Sequence, residues 1–268
     1  MIIKKILSAM AAGIIFFATS QTFAQEENQP DALGEAIEKA VKKLEHKDPP
    51  ISLEMRYFSF GADANLNTSK VNLDGGELDL KNDLRLVDDR ATEIIFRYKN
   101  FSADWLRMSE RGDGNFSDKN LNFGGKSFSD NVSAKNNLHY VKLSVDNEII
   151  SLMGTGANWS YGLAGIYWRG RAENFSASST QNYFVAVPTV GLEIYMAIMS
   201  KMKIYSKISG IFLGGIGHLH DFESGLKYSP SKNFSLTAGF RSVGFNLNRK
   251  GNGDFKMVGP FVGLRSDF

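Results

Sequence analysis

The chain has no cysteine among its 268 residues. That absence excludes a disulfide scaffold, a thiolate metal site, a cysteine nucleophile and a lipid-modified N-terminal cysteine. Proline is scarce, at 6, and with the 26 glycines it shows no three-residue period, so collagen-like and low-complexity chains are excluded as well. Neither sign of charge dominates, since 31 Lys and Arg stand against 29 Asp and Glu. A nucleic-acid partner needs a clustered basic excess, and none is expected here.

Long apolar runs are also lacking, apart from one near the start. Residues 1–24 read as a secretory signal peptide: a basic head at Lys4-Lys5, an apolar middle from Ile6 to Thr19, and Thr22-Phe23-Ala24 before the cut. The run falls short of the ~20 apolar residues of a spanning helix. Without it, 244 residues remain, with 29 bases and 29 acids, and their net charge is zero. Residues 25–50 are expected to hold a short periplasmic amphipathic helix and a linker. Leu33, Ile37, Ala40, Val41 and Leu44 form one stripe at helical spacing, and Asp48-Pro49-Pro50 stops it.

From Ile51 the period changes from 3.6 to 2 and stays there. Ten alternating segments follow, at 51–61, 91–99, 101–111, 132–145, 160–172, 182–196, 202–212, 219–228, 233–247 and 255–268. Tight links such as Lys99-Asn100 and Ser200-Lys201 alternate with long polar ones such as 62–90 and 112–131. Two links are irregular: 146–159 is long where a short turn is expected, and 213–218 is a brief glycine-rich loop. Short turns on one side and long loops on the other describe an all-β, up-and-down antiparallel transmembrane β-barrel over 51–268, with ten strands and eight as the alternative.

Within the segments one face is apolar and the other ionisable. Taking the apolar face as lipid-facing gives a lumen lined by Glu54, Arg56, Glu93, Arg97, Asp104, Lys142, Arg169, Arg171, Glu193, Lys203, Lys207, Glu223, Lys227, Arg241, Arg265 and Asp267. Three features favour this orientation over a soluble barrel. The second face is rich in charge, aromatics such as Tyr57, Tyr98, Phe101 and Tyr228 sit near segment ends where interfacial girdles lie, and the last strand ends on Phe268.

The runs GPFVGLRSDF (259–268), LTAGFRSVGFNLN (236–248), LDLKNDLRLVDD (78–89), NFGGKSF (122–128) and VPTVGLE (187–193) resemble a family of small, porin-like bacterial outer-membrane β-barrel proteins. The resemblance spans roughly residues 51–268 and carries no reaction. It implies export to the outer membrane, outer-membrane lipid and the barrel-insertion machinery as partners, and a part for Phe268 in the signal that the machinery reads. Ser266 departs from the aromatic usual two residues before that end.

Ten strands and a leading helix also resemble two groups of barrel enzymes, the omptin proteases and the lipid A palmitoyltransferases. In the omptin pattern an acid pair faces an Asp-His pair at the extracellular rim and activates a water. Asp88 and Asp89 precede the second segment, and His218, His220 and Asp221 open the eighth, all on the loop side. Adjacent acids in an extended chain point to opposite faces, so Asp88 and Asp89 do not make a same-face pair. His218 and His220 share a face but lack a third metal ligand in the sequence. His139, beside Leu138 and Val141, falls on the outward face.

Other fragments mislead. Gly124-Gly125-Lys126-Ser127 lacks the first glycine of a phosphate loop, Ser229–Lys232 and Ser129-Asp130-Asn131 occur in the wrong order for a penicillin-binding site, and Arg111-Gly112-Asp113 is a short adhesion-type tripeptide in an expected loop. The expected protein is therefore a non-enzymatic outer-membrane barrel of the Gram-negative envelope, without a cofactor or metal, porin-like or structural, with a lumen plugged by paired charge. An adhesin or ligand-binding barrel that takes a small solute or surface ligand through loops 62–90 and 112–131 is the alternative, ahead of an outer-membrane hydrolase.

Overall fold

The computed structural model describes residues 51–68, 71–74, 76–86, 90–152, 154–212, 217–247 and 251–268. The expected signal peptide and helix lie outside these residues, as do Asp88 and Asp89.

The wall begins with β1 (Ile51–Ser59) and β2 (Gly61–Thr68), which act as one strand. Both pair with β15 (Gly251–Asp267) in an unbroken register, with Phe58 opposite Phe261 and Gly61 opposite Val258. The first loop contains β3 (Val71–Leu73) and β4 (Leu78–Asp79); β5 (Arg90–Tyr98) and β6 (Phe101–Asn115) return to the wall. The second loop contains β7 (Leu121–Phe123) and β8 (Lys126–Phe128). The wall then continues through β9 (Asn131–Leu152), β10 (Thr155–Glu173), β11 (Ser178–Met199), β12 (Met202–Phe212), β13 (Gly217–Ser231) and β14 (Phe234–Leu247). The hydrogen-bonded order β1-β5-β6-β9-β10-β11-β12-β13-β14-β15, closed by β15 on β1, is an antiparallel barrel of ten strands. Closure leaves no unpaired strand edge facing lipid.

The long link expected at 146–159 is instead a hairpin. Strands β9 and β10 run on until Leu152 faces Thr155, and Gly154 turns the chain with φ +80°. The polar Asp146-Asn147-Glu148 and a register shift at Ala157/Asn158 break the alternation there, which is why the strands look interrupted in the sequence.

Register fixes the barrel's dimensions. A path perpendicular to the strands runs Ile51, Tyr98, Phe101, Val145, Tyr161, Val190, Gly210, His220, Gly244, Lys256 and returns to the first wall strand at Asp63, 12 residues higher. With ten strands, that stagger gives a tilt of about 40° and a backbone radius of about 10 Å. Side chains projecting inward from opposite walls can therefore meet.

Each wall strand changes polarity once along its length. On β6, Phe101 and Trp105 face outward and are exposed while Ser102 and Asp104 are buried inside; one step later Leu106 and Met108 are buried inside and Arg107, Ser109 and Arg111 face outward. On β9, Val132, Ala134, Leu138 and Tyr140 fill the interior, and then Val141 and Leu143 face outward with Lys142 and Ser144 inside. On β10, Tyr161 and Leu163 face out below, and Ala164, Ile166 and Trp168 face in above. The switch marks a level on each strand and stays in register between neighbours, with Leu106 opposite Tyr140 and Val243 opposite Met257. Below that level the outer medium is hydrocarbon; above it the medium is water, so the apolar face must turn inward. Short turns mark the lower end as periplasmic.

This inversion corrects two lumen assignments. Arg169 and Arg171 are exposed on the outer face of β10, and Arg171 bridges Glu173 there at 2.7 Å. They lie above the switch, where a charged residue belongs outside.

The long loops fold inward above the same level. Strand β3 pairs with β2 and β7, and β4 pairs with β2. Val71, Leu78, Leu80, Leu84, Phe116, Leu121, Phe123 and Phe128 pack into one core with Val132, Leu138, Trp168, Phe255 and Met257 of the wall. The Arg111-Gly112-Asp113 tripeptide therefore sits in β6 rather than in a loop, with Gly112 turned inward; a Cβ there would lie 2.2 Å from the Leu84 carbonyl oxygen. Gly124 and Gly125, at φ +64° and +79°, form the β7–β8 turn, the left-handed geometry that glycine allows.

The side assignments make a direct prediction. Arginine at Leu192, an exposed outward position within the apolar belt, should cost about 2–4 kcal/mol of folding free energy in a bilayer. Arg169→Ser should leave stability within about 0.5 kcal/mol. Urea titration of the barrel refolded in lipid vesicles measures both, and equal effects would contradict the orientation.

Candidate functional site

Inside the belt the inward positions of β1, β5, β9, β13 and β14 bring their charges together. Arg56 holds Glu54 at 2.7 Å, Glu223 at 2.7 Å and Glu93 at 3.4 Å. Arg241 binds Asp221 through two nitrogens at 2.9 and 3.0 Å, and it also donates to Glu93. Arg97 donates to Glu54 at 2.9 Å, and Lys142 reaches Asp221 at 3.4 Å. These contacts form one connected chain: Arg97, Glu54, Arg56, Glu93, Arg241, Asp221 and Lys142, with Glu223 on Arg56. Neutral donors satisfy the remaining acceptors. Thr237 donates to Glu54 at 2.9 Å, Tyr205 to Glu223 at 2.7 Å and Tyr140 to Asp221 at 3.2 Å.

The chain of contacts crosses the interior. Lys142 and Tyr140 on β9 meet Asp221 on β13, which lies four strands away round the wall. Arg56, Glu93, Lys142, Asp221, Glu223 and Arg241 are all buried. Burial in a low-dielectric interior makes each charge dependent on its partner, so the alternation of sign is what permits the arrangement. An aromatic layer covers it on the extracellular side: the Arg56 guanidinium lies 4.7 Å from the Phe261 ring centre, and Phe58 and Phe261 pack at 5.3 Å. Above that layer sits the apolar core of the loops.

The remaining charges assigned to the lumen lie around this cluster. Asp104 is buried and Lys207 and Glu193 are half-buried, with Glu193 opposite Lys207 in register. Lys203 and Lys227 stand opposite each other at the lower mouth, where Lys203 is exposed with its ammonium 5.4 Å from the Tyr195 ring centre. Arg265 binds Asp267 at 2.6 Å. Phe268 is exposed, and its amide donates to the Ile51 carbonyl at 2.9 Å, tying the last strand to the first.

Asp221 stands apart from the histidines beside it in sequence. The sequence places it with His218 and His220 at the rim, yet residues one and three apart face opposite ways on a strand. The two imidazoles are on the outer face with ring centres 6.1 Å apart, while Asp221 is buried in the ionic chain. A His-Asp pair built on β13 is thereby excluded. Among the described residues no group of three or more His, Cys, Asp or Glu side chains could hold a metal ion. His139 faces outward in an aromatic slot, stacked at 6.1 Å on Trp105, whose Nε1 donates to its Nδ1 at 3.2 Å, and 6.0 Å from Tyr167. Tyr140, Tyr205 and Thr237 are not marked by the sequence pattern, because uncharged side chains on the inner face give no signal that separates a hydrogen-bond donor from filler.

No protein-family model matches the chain, and no curated protein matches it in sequence. Solved structures do align with it. The outer membrane protease OmpT from Escherichia coli aligns with a TM-score of 0.50 at 7% identity, over 81% of this chain and 96% of that one. The translocator domain of the autotransporter NalP from Neisseria meningitidis aligns at 0.40 and 10% identity, over 89% and 95%. Ail of Yersinia pestis aligns at 0.34 and 11% identity, over 81% and 99%. The closed ten-stranded wall, the apolar belt and the polar interior make this chain an outer-membrane β-barrel.

Proposed function

We propose that the protein is a closed structural barrel of the outer membrane, presenting its extracellular wall to the surroundings and conducting no solute. The observation that carries this reading is the buried ionic chain from β1 to β9 across the interior, with the aromatic layer and the folded loops stacked above it. A porin of similar strand number would need an open path between those side chains. Steady conduction through a ten-stranded wall is disfavoured in any case, since barrels near eight strands are filled by side chains and wide channels belong to sixteen or more.

The adhesin reading changes its surface. Loops 62–90 and 112–131 place their leucines and phenylalanines in the core, so recognition falls to the outer wall and to the β10–β11 tip, where Phe175 is fully exposed. Enzymatic chemistry has no support in the geometry of His218, His220 and Asp221.

Vesicle swelling tests the proposal. Liposomes carrying the refolded protein should swell in arabinose no faster than protein-free liposomes. Swelling at porin-like rates would overturn the reading.

A further inference from the structure

The outer wall above the apolar belt carries a row of bases. Arg111 on β6 stands directly opposite Lys135 on β9, and Lys135 directly opposite Arg171 on β10. All three are exposed. Arg169 lies one outward position nearer the membrane than Arg171, and Arg107 stands lower still on β6, opposite His139. Like charges directly opposite on neighbouring strands repel. Among the described residues no carboxylate pairs with Arg107, Arg111, Lys135 or Arg169, and Arg171 keeps only its bridge to Glu173.

The charges are sorted along each strand. The acids of this face, Asp113 and Glu173, each stand one outward position farther from the membrane than Arg111 and Arg171. Beneath Arg111, Lys135 and Arg171 on the same strands lies the cluster of Trp105, His139 and Tyr167, amphipathic rings of the kind that settle at a headgroup boundary. The row thus sits at headgroup level, just above hydrocarbon. Its three strands span about 10 Å, two interstrand spacings. A cleft of about 400 Å³, lined by Arg85, Arg111, Gly112, Asp113 and Ser133, adjoins it.

We propose that this face binds the phosphorylated sugar headgroup of an outer-leaflet glycolipid. The phosphates lie across Arg111, Lys135 and Arg171, where guanidinium forks make charge-assisted hydrogen bonds, and the anion relieves the repulsion along the row. The acyl chains lie against the belt below. The position at headgroup height selects a membrane lipid over a soluble polyanion.

The test uses the full barrel in detergent micelles, with binding measured by native mass spectrometry. The probes are a diphosphorylated glucosamine-disaccharide lipid, the same lipid after phosphatase treatment, inorganic phosphate and a soluble sulfated polysaccharide. The phosphorylated lipid should bind at least about tenfold more tightly than its dephosphorylated form. The triple variant Arg111→Ser, Lys135→Ser, Arg171→Ser should weaken it on the order of a hundredfold, while Lys256→Ser on β15 should not. Equal binding of the two lipid forms, stronger retention of the soluble anions, or unchanged affinity in a folded triple variant would each overturn the proposal. If the triple variant does not fold, the comparison of the two lipid forms on the wild-type barrel decides alone.

Discussion

Replacing Arg241 by methionine is expected to destabilise the refolded barrel by about 3–5 kcal/mol, the largest single-residue effect in the molecule. Arg241 is buried and joins Asp221 to Glu93, which are themselves buried. Methionine roughly replaces its volume but leaves two carboxylates facing each other without their shared cation, and the uncompensated charge rather than lost packing sets the effect. Lys203→Met, at an exposed position by the mouth, removes a charge of the same sign and should change stability by less than about 0.5 kcal/mol. The double variant Arg241→Met, Glu93→Gln should recover part of the loss. Urea titration in lipid vesicles measures all three. A loss below about 1 kcal/mol for Arg241→Met would mean that the ionic chain is solvated.

The second large effect concerns the two layers of closure. Gly112→Val places a branched side chain where even a Cβ lies 2.2 Å from the Leu84 carbonyl oxygen, so the segment carrying Leu84 and Leu86 must leave the wall. The expected result is rapid protease cleavage within 71–86 but no conductance, because the ionic and aromatic layers lie below the loops. Removing the straps with Arg56→Ser, Glu93→Gln, Asp221→Asn and Arg241→Ser should also leave the barrel silent, since the apolar loop core still fills the upper half. Only the combination should give stable current steps in planar bilayers. Conductance from the Gly112→Val variant alone would show that the lower layer is not a seal.

Much of this architecture is legible in the sequence because a strand's side-chain period is 2 and membrane and lumen impose opposite demands on its two faces. That pattern marks the ten wall strands, and it places Glu54, Arg56, Glu93, Lys142 and Arg241 on the inner face. The same rule fails where its premise changes. Above the boundary the outer medium is water, so Arg169 and Arg171 belong outside, although they lie on the same strand as the lipid-facing Leu163. The inversion has a sequence trace, a pair of consecutive apolar residues where the apolar phase slips by one: Trp105-Leu106, Tyr140-Val141, Leu163-Ala164 and Met257-Val258. Loop 62–90 hid its role for a related reason. Its charges suggest a solvated loop, yet Leu78-Asp79-Leu80 and Leu84-Arg85-Leu86 alternate, and the leucines all turn into the core. Which acid meets which base across the lumen could not be read from any one strand, because the pairing of Lys142 with Asp221 depends on the stagger of all ten.

Single-channel recording of the wild-type protein in planar bilayers tests the closed interior most directly. A barrel bridged by Arg56 and Arg241 and filled above by its own loops should insert and leave the current at the bare-membrane baseline at moderate voltages of both signs. Long-lived, uniform current steps from verified, fully folded barrels would contradict it.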